Sequence, residues 1–340
     1  MTKKQKILSA IAAAVVLIAC SLLLWWKPIS AQMFDWFVAD TLENQLEQTY
    51  QPVRQTGGEQ EQEEPGVVMT EPFSILLVGS DQRKNEKARS DTLIYAVVRP
   101  MEPEVLLISI PRDTYTEIIG RDRMDKINHA YAFGGIKMTM DTVEHFLDED
   151  LDYYASVNFQ GLVNAVDALG GVKLPIEKDI VNRDPNHEKF TIKSNKPIYS
   201  GQEALYYVRY REDSDFNRTK RQQIFLQSIT DQAIQLNQID QIPELLNIMG
   251  SNFKTDMRPQ MLTGLASQIM RGGDPKITSF TIAGEGEYID GVYYDVPNED
   301  DLEKAKHLID QWMSPQGPEP AAAQGETANP VNTEAQSQVQ

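Results

Sequence analysis

The sequence predicts an α/β domain: a central mixed β-sheet flanked by helices, preceded by one N-terminal transmembrane helix. Three observations carry this. Short apolar runs end in glycine, proline or charged residues, as buried strands meeting loops do: "FSILLVGSD" (73–81), "DTLIYAVVRP" (91–100) and "EVLLISIPRDT" (104–114). Segments with apolar residues at helical spacing follow and alternate with further strand-like runs, the pattern of a sheet covered on both faces. An uncharged apolar run, Ile7 to Trp26, has about the length that crosses a bilayer as a helix.

From the N-terminus, Lys3, Lys4 and Lys6 precede that run, and Trp25 and Trp26 close it at the far interface. The positive-inside rule then keeps residues 1–6 in the cytoplasm and places everything after Lys27 outside. A cleaved signal peptide lacks a small-x-small site here. A lipidated Cys20 in "LIAC" would be followed by the apolar "SLLLWW", where such proteins turn polar. Residues 27–70 read as a juxtamembrane helix ("MFDWFVADTLENQLEQ") and an acidic, apolar-free tether ("QTGGEQEQEEPG", Gln55 to Gly66). The folded domain spans 71–313. After the three strands, "MTMDTVEHFLD" predicts an amphipathic helix. "YYASVNFQGLVNAVDALGGVKLPI" predicts strand, helix, a Gly-Gly stop and a strand. Arg218 to Leu236 predicts a long helix with Ile224, Phe225, Ile229, Ala233 and Ile234 on one side. "PELLNIM" and "RPQMLTGLASQIM" predict helices, and "ITSFTIAGEGEYIDGVYYDVP" two strands. Residues 314–340, rich in Pro, Ala, Gln, Glu and Thr, predict a disordered tail. There is no internal repeat.

Composition removes several function classes. The 340-residue chain carries 50 acidic and 32 basic residues, a formal net charge of -18. That excludes a general nucleic-acid surface, which needs a basic face to displace counterions from phosphates. The single cysteine excludes an intramolecular disulfide and a multi-cysteine zinc site. The four histidines form no HExxH spacing.

Against this acidic background, "VRYREDSDFNRTKRQQ" (208–223) concentrates Arg209, Arg211, Arg218, Lys220 and Arg221. Other charged groups flank the strands: Asp81 and Arg83 in "GSDQR", Arg89 and Asp91 in "RSD", Arg112 and Asp113 in "PRD". In such sheets ligands gather at carboxyl ends of strands. Arginines from separate segments, with Arg209 and Arg211 at a predicted strand end, suit the oxygens of one phosphate-bearing ligand. Arg218 at a helix start adds exposed N–H groups and the helix dipole, and Gln222 lies one turn later on the same face. Asp81 and Asp91 are candidate ligands of a hard cation such as Mg2+, which uses one or two carboxylates, waters and phosphates. The plain alternative for each Arg–Asp pair is a structural ion pair. Asp167 reads as a structural cap, and the Gly134–Gly135 and Gly170–Gly171 pairs as turns.

"GSDQR", "RSDTLI", "LLISIPRDTY", "KINHAYAFGG", "FQGLVNAVDALGGV", "GQEALYYVRYR" and "DFNRTKRQQ" occur in the order found in the LytR-CpsA-Psr (LCP) family, and the resemblance runs from about Phe73 to Gln227. It implies an α/β sandwich with an apolar lipid pocket. It also implies transfer of an anionic glycopolymer, such as wall teichoic acid, from undecaprenyl-pyrophosphate to peptidoglycan in a Gram-positive bacterium. Carried over residue by residue, Asp81 and Asp91 are metal-associated, with Mg2+ or Mn2+ as cofactor. Arg112, Arg209, Arg211, Arg218 and Gln222 bind pyrophosphate, with Arg83, Arg89, Lys126 and Arg221 as further candidates. Arg112, Arg209, Arg218 and Asp91 are the expected catalytic set, Asp91 taking the acceptor proton if it is not a metal ligand. The loop holding Asp213 and Asp215 matches the family poorly, and Lys220 reads as a solvated helix residue. Partners are then the lipid-linked polymer, peptidoglycan and the membrane, and no nucleic acid. Two other readings use the same residues: a polyprenyl-pyrophosphate pyrophosphatase, and a non-catalytic lipid-binding or regulatory membrane protein.

Overall fold

The computed structural model describes residues 47–54, 68–81, 89–184, 188–210, 215–235, 250, 252–272 and 275–317. The expected anchor (7–26), the tether core (55–66), Arg83, Arg211, Asp213 and the helix expected at 243–249 lie outside these residues. Among the described residues no helix is long and apolar enough to cross a membrane.

Three strands open the domain: β1 (Phe73–Asp81), β2 (Arg89–Arg99) and β3 (Glu104–Ile110). They pair as an antiparallel meander. β6 (Tyr153–Asn158) adds parallel to β1, and β10 (Lys276–Thr281) parallel to β3. β9 (Phe253–Thr255) closes one edge antiparallel to β6, giving the order β10-β3-β2-β1-β6-β9. The sheet is therefore mixed, as expected. Because β2 runs against its neighbours, the ends of β1, β3, β6 and β10 and the start of β2 share one side of the sheet. That topology gathers Asp81, Arg89, Asp91 and Arg112.

Alternation along the strands feeds two cores. Leu76, Val78, Leu93, Tyr95, Val97, Leu106, Ile108 and Ile110 face one way. They meet α1 (His129–Leu147) through Met140, Val143, Phe146 and Leu147, and α6 (Glu299–Met313) through Ala305, Ile309 and Trp312. Each fully buried Val, Leu, Ile or Met among them contributes about 1.5–3 kcal/mol. Ile75, Ile94, Ala96 and Leu107 face the other way, towards α5 (Pro259–Gly272). On this second face Leu77, Val98, Val105, Ala155 and Ile277 are only partly covered. A satellite core joins α2 (Phe159–Ala168), α3 (Gly201–Arg209) and α4 (Asp215–Gln235) around Val166, Tyr199, Leu205 and Phe225. Two short hairpins, β4–β5 (Tyr115–Ile118, Arg123–Lys126) and β7–β8 (Ile180–Asn182, Phe190–Ile192), complete the layers between strands and helices. A third, β11–β12 (Gly284–Ile289, Val292–Pro297), precedes α6.

Several elements differ from expectation. Arg209 ends a helix, not a strand. α3 starts on a capping box, Ser200 with Glu203, and buries Ala204, Leu205, Tyr207 and Val208 at helical spacing. The strand expected at "GGVKLPI" is reduced to one bridge, Val172 with Tyr199, because Pro175 has no N–H to give a ladder. Its Val172, Leu174 and Ile176 pack into the satellite core instead. Residues 277–297 hold three strands rather than two. At the margins, Thr49 and Gln51 bond the backbone of Thr255 and cover the β9 edge. Arg99 donates to the carbonyls of Trp312, Ser314 and Pro315, holding the start of the expected tail. The Gly170–Gly171 stop is present, both residues at positive φ.

Glu149, just after α1, carries a pH signature. Burial first, then the charges of Asp310, Asp148 and Asp150, push its carboxyl up to about 7. The folded chain then holds a proton that the unfolded chain releases near the ordinary value of about 4.3. This contribution is complete below that value and is lost as pH rises through about 7. A Glu149→Gln protein should therefore melt higher than its parent at pH 8 and equal to it near pH 4. Thermal melts giving the same difference at both pH values would refute the charge explanation.

Candidate functional site

The side of the sheet where the meander turns carries an interleaved set of cations and carboxylates. Arg112 Nη1 donates to Asp91 Oδ1 at 2.7 Å, and Arg112 Nε lies 3.4 Å from Asp113 Oδ2. Lys126 Nζ is 3.1 Å from Asp113 Oδ1. Arg209 Nη2 reaches Asp81 Oδ2 at 3.8 Å, and its guanidinium lies 4.7 Å over the Phe159 ring. Arg89 stands opposite Asp81 in the β1–β2 ladder, where the register shifts between Gly79 and Ser80. Gly79 pairs with Thr92 and Ser80 with Ser90, so Asp91 is the extra residue of a β-bulge. Bulges re-aim a side chain beside a site in just this way.

Asp113 is the hub. Burial alone would raise its carboxyl; the charges of Arg112 and Lys126, the Lys126 hydrogen bond and the charge of Arg218 outweigh burial and hold it below the usual carboxylate range. The loop carrying it is bonded from three sides. Pro111 O accepts from Thr114, Arg112 O accepts from Asn128 N, and Asp113 O accepts from Asp295 N at 2.9 Å. Such bracing fixes the Arg112 backbone before any ligand arrives.

Arg218 sits in the first turn of α4 and is only 4% exposed. Gln223 holds this helix to the sheet, donating to Ser109 Oγ at 3.1 Å and Thr281 Oγ1 at 3.0 Å. α3 is fixed at both ends. Asp167 accepts from Gly201 N at 2.7 Å, the cap expected of it, and Arg221 donates to the carbonyls of Tyr207 and Tyr210. Arg221 thus works as a helix closure.

The structure brings together Asp81, Arg89, Asp91, Arg112, Lys126, Arg209 and, through its charge on Asp113, Arg218. Gln222 is half-buried one turn after Arg218, and Lys220 is exposed as expected. Five cations against three carboxylates leave the cluster locally positive in an acidic chain. Sequence reading missed the linking role of Asp113, the Phe159 platform and the Gln223 bracket. Asp113 stands next to Arg112 in "PRD", but only the β4–β5 hairpin brings Lys126 to it. Among the described residues no three His, Cys, Asp or Glu side chains converge on a metal position. Asp81 and Asp91 offer the one or two carboxylates that Mg2+ uses when phosphates and waters complete its shell, so the donor set fits that ion.

A family model, the LytR_cpsA_psr family, matches residues 41–310. The chain belongs to the LytR_cpsA_psr family. LCP relatives include the polyisoprenyl-teichoic acid–peptidoglycan teichoic acid transferases TagU of Halalkalibacterium halodurans and of Bacillus subtilis. The first is 42% identical over 228 residues, 66% of this chain and 73% of the relative. The second is 37% identical over 227 residues, 66% of this chain and 72% of the relative. Among solved LCP structures, TagV of B. subtilis has a TM-score of 0.63 at 31% identity, over 72% of this chain and 98% of that one. A structure of TagT bound to LI-WTA has a TM-score of 0.55 at 29% identity, over 73% and 92%.

Proposed function

We propose that this LCP protein is a phosphotransferase that moves an anionic glycopolymer, such as wall teichoic acid, from a polyprenyl-pyrophosphate carrier to peptidoglycan. The observation that carries the reading is the cation cluster at the sheet end, interleaved with carboxylates. It is suited to a pyrophosphate and lies in a chain similar to named teichoic acid transferases. The second sheet face, where Leu77, Val98 and Val105 are incompletely covered, supports a place for the apolar carrier chain. The apolar run Ile7–Trp26 supports a single-pass anchor with the N-terminus in the cytoplasm and the domain outside. Donor and enzyme would then share one membrane surface.

In the reaction, a peptidoglycan hydroxyl oxygen forms a new bond to the phosphorus that bears the glycopolymer. The bond from that phosphorus to the bridging oxygen breaks, and polyprenyl phosphate leaves with the electron pair. The hydroxyl proton passes to Asp91, which Arg112 orients. Arg112, Arg209 and Arg218 balance charge on the phosphoryl oxygens, where a loose transition state concentrates it. Asp81 would hold Mg2+ or Mn2+ through one carboxylate, waters and the phosphates, which leaves Asp91 to take the proton, and the ion would supply further neutralisation of the leaving phosphate.

Full-length protein in vesicles with a radiolabelled lipid-pyrophosphate donor tests this. Label should appear in added peptidoglycan with one polyprenyl phosphate released per transfer. Chelation should stop transfer, and Mg2+ or Mn2+ should restore it. Polyprenyl phosphate released at the same rate without peptidoglycan would make the protein a pyrophosphatase. Donor binding with no release under any condition would make it a lipid-binding module.

A further inference from the structure

We infer that the β11–β12 hairpin is the shelf on which the acceptor glycan docks. The inference rests on the transferase reading and adds the acceptor's position. Tyr288 and Tyr293 are 74% and 37% exposed. They are direct partners across the ladder, so they share a face, with ring centroids 5.7 Å apart. Gly286, two residues before Tyr288, lies on the same face. A side chain there would begin 2.7 Å from the Tyr293 hydroxyl and 2.8 Å from its ring. Glycine therefore lets that ring lie across the hairpin and present a broad aromatic surface. The apolar C–H faces of sugar rings stack on such surfaces.

Charge selects among sugars. On the tyrosine face stands Asp295, with Asp290 in the turn and Glu285 and Glu287 on the opposite face, and no lysine or arginine lies between Gly284 and Pro297. A polyphosphate donor chain is repelled there. The uncharged N-acetylhexosamine rings of a peptidoglycan strand are not. The shelf also adjoins the reacting groups. Asp295 N donates to Asp113 O at 2.9 Å, and the Tyr294 ring packs on Tyr115 at 4.7 Å. Lys126 Nζ lies 5.7 Å from the Tyr293 centroid and 3.1 Å from Asp113 Oδ1. One side chain thus spans from the aromatic surface to the carboxylate beside Arg112. A sugar stacked on Tyr293 would then lie one lysine side chain away from Asp113, the carboxylate that pairs with Arg112.

The test compares full-length wild type with Tyr288→Ala/Tyr293→Ala and Tyr293→Phe in the vesicle assay, varying donor and peptidoglycan separately. The double alanine variant should raise the acceptor KM about ten-fold, as loss of two aromatic contacts implies, with donor KM unchanged. Tyr293→Phe, which keeps the ring, should stay near wild type. An unchanged acceptor KM in the double alanine variant overturns the shelf, as does an equal rise in donor KM. Cosedimentation with insoluble peptidoglycan, without donor, separates this from the transferase reading. Tyrosine-dependent sedimentation by a protein that transfers nothing keeps the shelf and removes the reaction; transfer with tyrosine-independent sedimentation and KM does the reverse.

Discussion

Arg112→Ala protein is expected to transfer polymer about 10²- to 10³-fold more slowly, the usual loss when one preorganised charge donor is removed from a reacting phosphoryl or acyl oxygen. The deficit should fall on kcat more than on donor KM. On the proposed reading Arg209 and Arg218 would still hold ground-state phosphate, while Arg112, held by Asp91 at 2.7 Å and Asp113 at 3.4 Å, would meet the charge that develops. Arg112→Lys should recover only part of the rate, because an ammonium keeps the charge and loses the fork. Single-turnover transfer with saturating donor measures this. A variant that transfers at the wild-type rate would remove Arg112 from the reaction.

Gly201→Ala is expected to destabilise the domain by about 2–3 kcal/mol, the upper range of overpacking. A methyl on Gly201 would begin 2.2 Å from the Val163 carbonyl oxygen, and backbone cannot swing aside as a side-chain tip can. α3 must therefore lift from α2, and Arg209 at its far end moves with it, away from Asp81 and Phe159. A fall in melting temperature together with weaker donor binding is the expected pair of results. An unchanged melting temperature would show that α2 and α3 separate at little cost.

Much of this was readable in the chain. Continuous apolar runs such as "FSILLVGSD" leave little choice but a buried strand, and the charged residues that end them mark one side of the sheet. "YYVRYR" was less transparent. Its alternating tyrosines and arginines mimic strand periodicity, yet the Ser200-x-x-Glu203 signature before it is a helix start. The hairpin at 284–297 was half legible: Asp290–Gly291, at φ 50° and 79°, is the turn that "DG" favours. What no local pattern reveals is distance closed by folding. Lys126 meets Asp113 only because β5 folds back along β4, and Phe159 meets Arg209 only because α3 packs on α2.

The carboxylates threaded between the arginines also shape how a ligand arrives. Asp81, Asp91 and Asp113 cancel most of the cluster's far field, and the chain as a whole carries a formal -18. To the extent that a screening length of about 8 Å lets the chain's net charge act, a polyanion meets repulsion on approach, so the arginines cannot act as a long-range lure. Capture then depends on short-range encounter, and added salt should quicken association where a basic-surfaced enzyme would be slowed.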